Sequence, residues 1–429
     1  MNPIYKTVTL PSGKEIHIET GRLAKQADGS AVIRCGDTML LATVVSSTEY
    51  RDIDWLPLSV DYVEKFSSAG KIPGGFFKRE GKLSDREVLT SRLVDRALRP
   101  LFPKDYHSEV QVIIQLISAD RVEQSDAMAC FAASCALMVS NIPFPDPVSE
   151  VRVGMRDGEF IINPTTEEME GLDMDIMVAC TDDSVVMVEG EMNEVSEEDL
   201  LNGMKAAHES CRVLNKAAAE LRDEVAKEIR EYETFDMDEE FVEKITGLMA
   251  DRTRAVVDAQ LPKQERSSSF KEIVDETIES ITGELEDKDE KEKLTNWIKA
   301  IFKNVQKGAV RGKVLEESVR LDGRQLDEVR DIWSDTSYLP RTHGSAIFTR
   351  GETQSLCTVT LGTKLDEQTI DGATIEGKKR FMLHYNFPPF STGEARFLRG
   401  PGRREVGHGN LAERALKIMM PDDYEYTVR

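Results

Sequence analysis

The sequence has no run of about 18 apolar residues, which excludes a membrane-spanning helix. Its opening residues, MNPIYKTVTLPSGKEIHIETG, lack the apolar stretch of a secretory signal and the Arg/Ser bias of a transit peptide. A cytoplasmic location without membrane association is therefore expected. Cysteine is scarce: Cys35, Cys130, Cys135, Cys180, Cys211 and Cys357 follow no metal-ligand or redox spacing. They read as reduced core residues, not as a disulfide framework or a zinc cluster. An excess of positive charge is also missing. Fifty-five Lys and Arg face 78 Asp and Glu, a net charge of −23, so the chain is not a protein that coats nucleic acid with a uniformly basic surface.

What is present is a local reversal of that charge. Lys71 to Lys104 holds nine Lys/Arg against four Asp/Glu, and Glu394 to Lys417 holds six against three. Field focusing at a cleft depends on such islands more than on the average. The first island contains GGFFKREGKLSDREVLTSRLVDRALRPLFP, from Gly74 to Pro103. Ser84 followed by Glu87 predicts a capped helix start, with Leu89, Leu93, Val94, Ala97, Leu98 and Leu101 on its core face. Arg92, Arg96 and Arg99 fall opposite and read as a solvated face, with Asp95 placed to pair with Arg99. The preceding glycine-rich turn cannot easily bury both Phe76 and Phe77. Aromatic faces beside Lys78 and Arg79 suit stacking on unpaired bases while the cations hold phosphates.

Along the chain, strands are expected in residues 7–10, 15–19, 31–37, 39–45, 54–64 and 110–117. More follow in 150–156, 158–162, 175–180 and 184–189. Residues 125–140 form a small-residue helix with an apolar face, and Ser196 with Asp199 caps a helix running to about Lys227. The fold class is α+β. Residues 235–313 lack strand patterns. Phe241, Val242, Ile245, Leu248 and Met249 form one apolar stripe there, and Trp297, Ile298, Ile301 and Phe302 another, which predicts an all-helical domain. Its run GELEDKDEKEK is expected to be a solvated turn between helices.

After Lys313 the first domain begins again. GSAVIRCGDTMLLATVV (29–45) and GSAIFTRGETQSLCTVT (344–360) share eight of seventeen positions at an offset of 315. At an offset of 318, Arg86-Glu87-Val88 matches Arg404-Glu405-Val406, Arg96-Ala97-Leu98 matches Arg414-Ala415-Leu416, and Pro103 matches Pro421. Blocks in the same order indicate a duplicated domain. Shared residues such as Arg96 and Arg414 read as scaffold. The differences point to function: Leu89-Thr90-Ser91-Arg92 becomes Gly407-His408-Gly409-Asn410. Two glycines in a helical turn each cost roughly 1 kcal/mol, which suggests a ligand close to that backbone, with His408 beside it. The adjacent Arg403 and Arg404 suit an anion with several oxygens, and an ion pair between Arg404 and a neighbouring carboxylate is the alternative.

These residues resemble the polynucleotide phosphorylase family of bacteria. IPGGFFKREGK is similar to its pore loop, SRLVDRALRPLFP to the helix after it, VRLDGRQLDEVRDI to the start of its second core, and GRREVGHGNLAERAL to its active-site helix. The resemblance implies two RNase PH-like domains of the ribosomal S5 domain 2-like fold, separated by an all-helical domain. The expected limits are 1–234 for the first core, 235–313 for the helical domain and 314–429 for the second core. It implies processive 3′-to-5′ phosphorolysis of single-stranded RNA, in which inorganic phosphate is co-substrate, nucleoside diphosphates leave and Mg²⁺ assists. It also implies a homotrimer threading RNA through a pore, with other RNA-degradation proteins as partners. By motif, Phe76, Phe77, Lys78 and Arg79 would grip RNA, and Arg403, Arg404 and His408 would lie by the terminal nucleotide and phosphate. Lys78 replaces the family's more usual arginine, keeping charge but losing bidentate contact.

At an offset of 318, Arg429 corresponds to Gln111, inside the strand VQVIIQLI. The second core is thus expected to be incomplete, the metal ligands to lie beyond Arg429, and these 429 residues alone to show no phosphorolysis. Two other readings are a non-catalytic RNA-binding ring and a helical adaptor acting through 235–313.

Overall fold

The computed structural model describes residues 3–50, 53, 55–232, 237–421 and 423–429. The expected boundary between 234 and 235, and Asp54 at the start of the expected 54–64 strand, lie outside the described residues. The chain forms two compact units, one of residues 1–233 with 360–429 and the other of 234–359.

The first unit opens with alternating apolar residues that form β1 (Ile4–Thr9), β2 (Glu15–Thr20), β3 (Gly29–Cys35), β4 (Thr38–Tyr50) and β5 (Leu58–Glu64). A crossover through α1 (Asp85–Leu98) returns to β6 (Ser108–Ser118), and the sheet order is β1-β2-β3-β4-β6-β5. β5 lies parallel to β6 at the sheet edge, and the other pairs are antiparallel. Every residue of α2 (Ala129–Met138) is buried, and its one polar side chain, Ser134, accepts from the Val148 amide at 3.0 Å. The helix packs on β3, β4 and β6 and on the first strand of a second sheet. That sheet comprises β7 (Ser149–Arg156), β8 (Glu159–Ile162), β9 (Met174–Cys180) and β10 (Val185–Met192), in the order β10-β9-β7-β8. The long α3 (Glu197–Val225), capped by Ser196 as expected, covers β7 and β9. Five of the six cysteines are buried, and Cys357 is exposed.

In the second unit, α4 (Glu239–Asp258), α5 (Lys263–Thr282) and α6 (Lys288–Glu317) bury Ile245, Met249, Val257, Phe270, Ile273, Ile298, Ile301 and Phe302. Trp297 is only half-buried and meets Phe241 edge-on at 5.8 Å, and Leu248 is exposed. The charged run is not wholly a turn. Asp287 caps α6 by accepting from the amides of Asp289 and Glu290, so helix begins at Lys288 and the turn spans only 283–287. A three-stranded sheet follows, β11 (Ile332–Thr336), β12 (Gly344–Arg350) and β13 (Thr353–Val359), with Ile332, Trp333, Phe348 and Leu356 exposed.

The first unit resumes with β14 (Leu361–Gly362), β15 (Gln368–Asp371), β16 (Glu376–Lys379), α7 (Arg403–Lys417) and β17 (Thr427–Val428). The duplication extends to strand register. β12 and β13 pair Gly344 with Val359 through Arg350 with Thr353, matching Gly29 with Val44 through Cys35 with Thr38 in β3 and β4. Leu361 pairs with Val428 as Ser46 pairs with Val110. α7 starts 318 residues after α1.

Beneath α1 lies a buried ionic network. Arg86 binds Glu64 and Asp126, each at 3.1 Å, and Arg152 binds Asp175 at 3.1 Å and Asp126 at 3.4 Å. Burial pushes the Asp126 carboxyl up, but Arg152 and Arg86 outweigh it and hold it below its ordinary value. Glu150 is different. It is fully buried, neither carboxylate oxygen has a hydrogen-bond partner among the described residues, and burial reinforced by Asp126 pushes its pKa to about 8. Arg152, Glu189 and Arg96 also face it, with Cys130 and Cys211 nearby. The native state therefore holds a proton that the unfolded chain releases above about 4.5, so Glu150 costs stability progressively as pH rises from there to about 8. Glu150→Gln, which mimics the protonated form, should raise Tm little at pH 5 and increasingly up to pH 8. A pH-independent difference in thermal melts would contradict the assignment.

Candidate active site between paired helices

The loop before α1 is anchored at its base and free at its tip. A 3-10 turn, Phe66–Ala69, ends at Gly70 in the left-handed region (φ 68°). The Phe66 amide donates to Glu80 at 3.1 Å, and Lys71 donates to the Gly372 carbonyl at 2.9 Å and pairs with Glu376. The Lys78 amide closes a turn on the Gly75 carbonyl at 3.0 Å. At the tip, Phe76 is 94% and Phe77 86% exposed, and the rings meet only each other, edge-on at 5.4 Å, among the described residues. Lys78 and Arg79 are exposed beside them.

Ser84 and Glu87 form the expected capping box at the start of α1, and Glu87 also accepts from the Glu64 amide at 2.7 Å. The buried face of the helix is rotated from the expected one. Val94, Ala97 and Leu98 are buried together with Glu87, Val88, Thr90 and Ser91, whereas Leu89, Leu93 and Leu101 are half-buried. The polar residues are buried because β5 is an edge strand with free backbone groups. The Tyr62 amide donates to Ser91 Oγ at 2.8 Å, and Arg99 donates to the Leu56 and Leu58 carbonyls at 2.8 and 3.1 Å. Arg99 also pairs with Asp95 at 2.7 Å, as expected.

α7 repeats this start. Glu405 accepts from the Gly402 amide at 2.6 Å and the Phe387 amide at 2.8 Å, and these bonds hold its carboxyl below the ordinary value. The helix packs against α1. Arg403 donates to the Val60 carbonyl at 2.6 Å and pairs with Asp61, so it too binds the edge of β5. A cavity of about 180 Å³ lies here, lined by Val60, Ser91, Arg92, Asp95, Arg96 and Arg403. Three guanidiniums face it. Arg96 pairs with Glu189, Arg403 with Asp61, and Asp95 with Arg99, while Arg92 has no ion pair among the described residues. Such a cavity suits an anion with several oxygens.

Of the expected residues, the structure puts Arg403 in this cavity and Arg404 and His408 on the neighbouring face of α7, one helical turn apart. Arg404 is exposed and makes no ion pair among the described residues, unlike its counterpart Arg86. The His408 ring stands edge-on to Tyr385 at 4.4 Å, and Tyr385 stacks on Phe387 at 6.2 Å. The loop tip at Phe76 to Arg79 shares no hydrogen bond or ion pair with α7 among the described residues.

The glycines have a different reason from the expected ligand. A Cβ on Gly407 would lie 2.3 Å from Arg92 Nε, and one on Gly409 would lie 3.2 Å from Tyr385 Cβ. They make room for protein side chains, and Gly407 makes room for the unpaired arginine of the cavity. Periodicity places Arg92 and Arg96 on a solvated face and the duplication makes Arg96 shared scaffold, whereas both line the cavity. The signal that could have found Arg92 was its position in the duplication, beside the divergent turn. No group of three or more His, Cys, Asp or Glu side chains among the described residues is arranged to hold a metal, so no Mg²⁺ ligand is assigned.

The sequence matches the profile described as "3' exoribonuclease family, domain 1" twice, at 12–143 and 328–429. Residues 146–210 match domain 2 of the same family. Residues 240–325 match "Polyribonucleotide nucleotidyltransferase, RNA binding domain". Curated proteins named polyribonucleotide nucleotidyltransferase are similar along the whole chain. That of Bacteroides fragilis is 54% identical over 100% of this chain and 60% of its own length. Those of Christiangramia forsetii and Porphyromonas gingivalis are 53% and 52% identical, over 99% and 100% of this chain and 56% and 57% of theirs. The chain thus spans about 60% of the length of the B. fragilis relative. It carries two RNase PH-like domains with an all-helical domain between them in sequence. With the domain 1 profile covering both copies of a duplication that the strand registers also share, the chain belongs to the 3′ exoribonuclease family.

Proposed function

We propose that the protein degrades single-stranded RNA from the 3′ end by phosphorolysis, with inorganic phosphate as co-substrate and nucleoside diphosphates as products. The observation that carries this reading is the cavity in which Arg92, Arg96 and Arg403 converge. Phosphoryl transfer needs positioning and charge neutralisation more than covalent chemistry, and converging guanidiniums supply both. In this reading Arg403 and Arg92 hold the terminal linkage or the incoming phosphate, while Arg404 and His408 lie on the adjacent face toward the terminal nucleotide. Phe76 and Phe77 stack on bases upstream, and Lys78 and Arg79 hold the backbone. The functional parts are a first core (1–234), a helical domain (235–313) and a second core (314–429). We also infer a homotrimer with one loop per subunit at a shared pore, Mg²⁺ as an assisting ion, other RNA-degradation proteins as partners and a cytoplasmic location. The sequence similarity to polyribonucleotide nucleotidyltransferases supports the RNA substrate and the nucleotidyl transfer.

The test is product identity. The native protein, incubated with labelled oligoribonucleotide, Mg²⁺ and phosphate, should release nucleoside diphosphates and require phosphate. Nucleoside monophosphates released without phosphate would overturn the reading. Phe76→Ala with Phe77→Ala should weaken long-RNA binding by roughly 1–3 kcal/mol per lost stack, while dinucleotide turnover changes little. Equal losses on both lengths would make the loop a structural element.

Gly407→Ala separates the packing role of the glycine from stability. Alanine adds about 1 kcal/mol of helix propensity but drives the Arg92 guanidinium out of its slot. The variant should melt no earlier than wild type yet bind RNA several-fold more weakly. Unchanged affinity in anisotropy titrations would remove Arg92 from the site.

A further inference from the structure

The loop before α7 repeats the architecture of the loop before α1. The Glu64 and Phe387 amides donate to the third residue of the following helix, Glu87 and Glu405, at 2.7 and 2.8 Å. One 3-10 turn follows in each case, Phe66–Ala69 or Pro389–Thr392, closed by a left-handed glycine, Gly70 (φ 68°) or Gly393 (φ 72°). Each loop ends at an N-cap amide bound at 2.6 Å by the same glutamate. Between these fixed points the first copy has KIPGGFFKREGKL and the second EARFLRGP. Both present large apolar side chains next to cations.

In the second loop Phe397 is 90% and Leu398 82% exposed, with exposed Arg396 and Arg399 on either side. Arg396 pairs at the surface with Glu394 at 3.4 Å, which competes weakly with any other anion, and also lies near enough to help lower the Glu405 carboxyl. Phe397, Leu398 and Arg399 have no hydrogen bond, ion pair or ring contact among the described residues. We propose that Arg396, Phe397, Leu398 and Arg399 form a second grip for single-stranded RNA, beside the arginine cavity. Alternation of cation and apolar surface over four residues matches a strand that presents phosphates and base faces in turn. Phe397 is six residues from Arg403, at most about 20 Å of extended chain, so the nucleotides it holds neighbour the terminal linkage. Short substrates should therefore feel this loop.

The proposal rests on the RNA reading above, and the experiment separates the two. Fluorescein-labelled oligo(A), short and long, is titrated in anisotropy against wild type, Phe397→Ala, Phe397→Trp, Arg396→Ala with Arg399→Ala, and Phe76→Ala with Phe77→Ala. The expected result is at least about a fivefold rise in Kd for Phe397→Ala on both lengths, with wild-type Tm and with affinity restored in Phe397→Trp. The double arginine variant should flatten the salt dependence by roughly 0.7 in log–log slope per arginine. If the Phe76/Phe77 variant loses affinity and Phe397→Ala does not, the second grip is wrong and the RNA reading stands. If wild type binds no RNA at low salt, the RNA reading falls and takes the grip with it. If Phe397→Ala alters only the sedimenting mass, the patch is a protein contact and the proposal is overturned.

Discussion

The free edge of β5 governs the geometry of the site. In a strand paired on one side only, alternate backbone groups point away from the sheet and must be satisfied or solvated. Here side chains from two helices take them. Arg99 binds the Leu58 carbonyl, Arg403 the Val60 carbonyl, Ser91 the Tyr62 amide and Glu87 the Glu64 amide. Four consecutive outward positions are thus held by α1 and α7, which fixes both helices to one line of backbone. Arg403 enters the cavity because the edge holds it there.

Duplication then makes the two helices unequal. They begin alike, each with a third-position glutamate that bonds to its own N-cap amide and to a preceding chain segment. One turn later they diverge. α1 carries Leu89, Thr90, Ser91 and Arg92 where α7 carries Gly407, His408, Gly409 and Asn410, and the Arg92 side chain fills the gap left by Gly407. A pair of identical helices would collide there. The cost of glycine in a helix, roughly 1 kcal/mol, is offset by a close crossing that brings guanidiniums from both copies around one cavity.

Much of the fold was legible because it depends on local patterns. Strand alternation, the Ser84–Glu87 capping box, the small-residue helix α2 and the offsets of 315 and 318 are properties of neighbouring residues, and the structure reproduces them. The errors came where tertiary context overrides such patterns. The polar residues Ser91 and Glu87 are buried because β5 needs partners for its amides, which no helical periodicity reveals. Arg92 looks solvated on an isolated helix and lines a cavity only when α7 docks. Gly407 and Gly409 stand out in the sequence as costly in a helix, and the groups that approach them are Arg92 and Tyr385. The acidic run at 284–293 read as a turn, yet Asp287 is a helix cap that draws the residues after it into α6.

In the proposed function Arg92 and Arg403, one from each copy, act on a single anion. Two guanidiniums facing one cavity repel each other when it is empty and are coupled through an anion that touches both. A double-mutant cycle on the binding of a short oligoribonucleotide, with Arg92→Ala, Arg403→Ala and the double variant at fixed salt, measures that coupling. The double variant should lose less affinity than the sum of the single losses, by about 0.5 kcal/mol or more. Additive losses would mean that the two arginines act on separate groups, and no loss in either single variant would mean that the cavity is not the site.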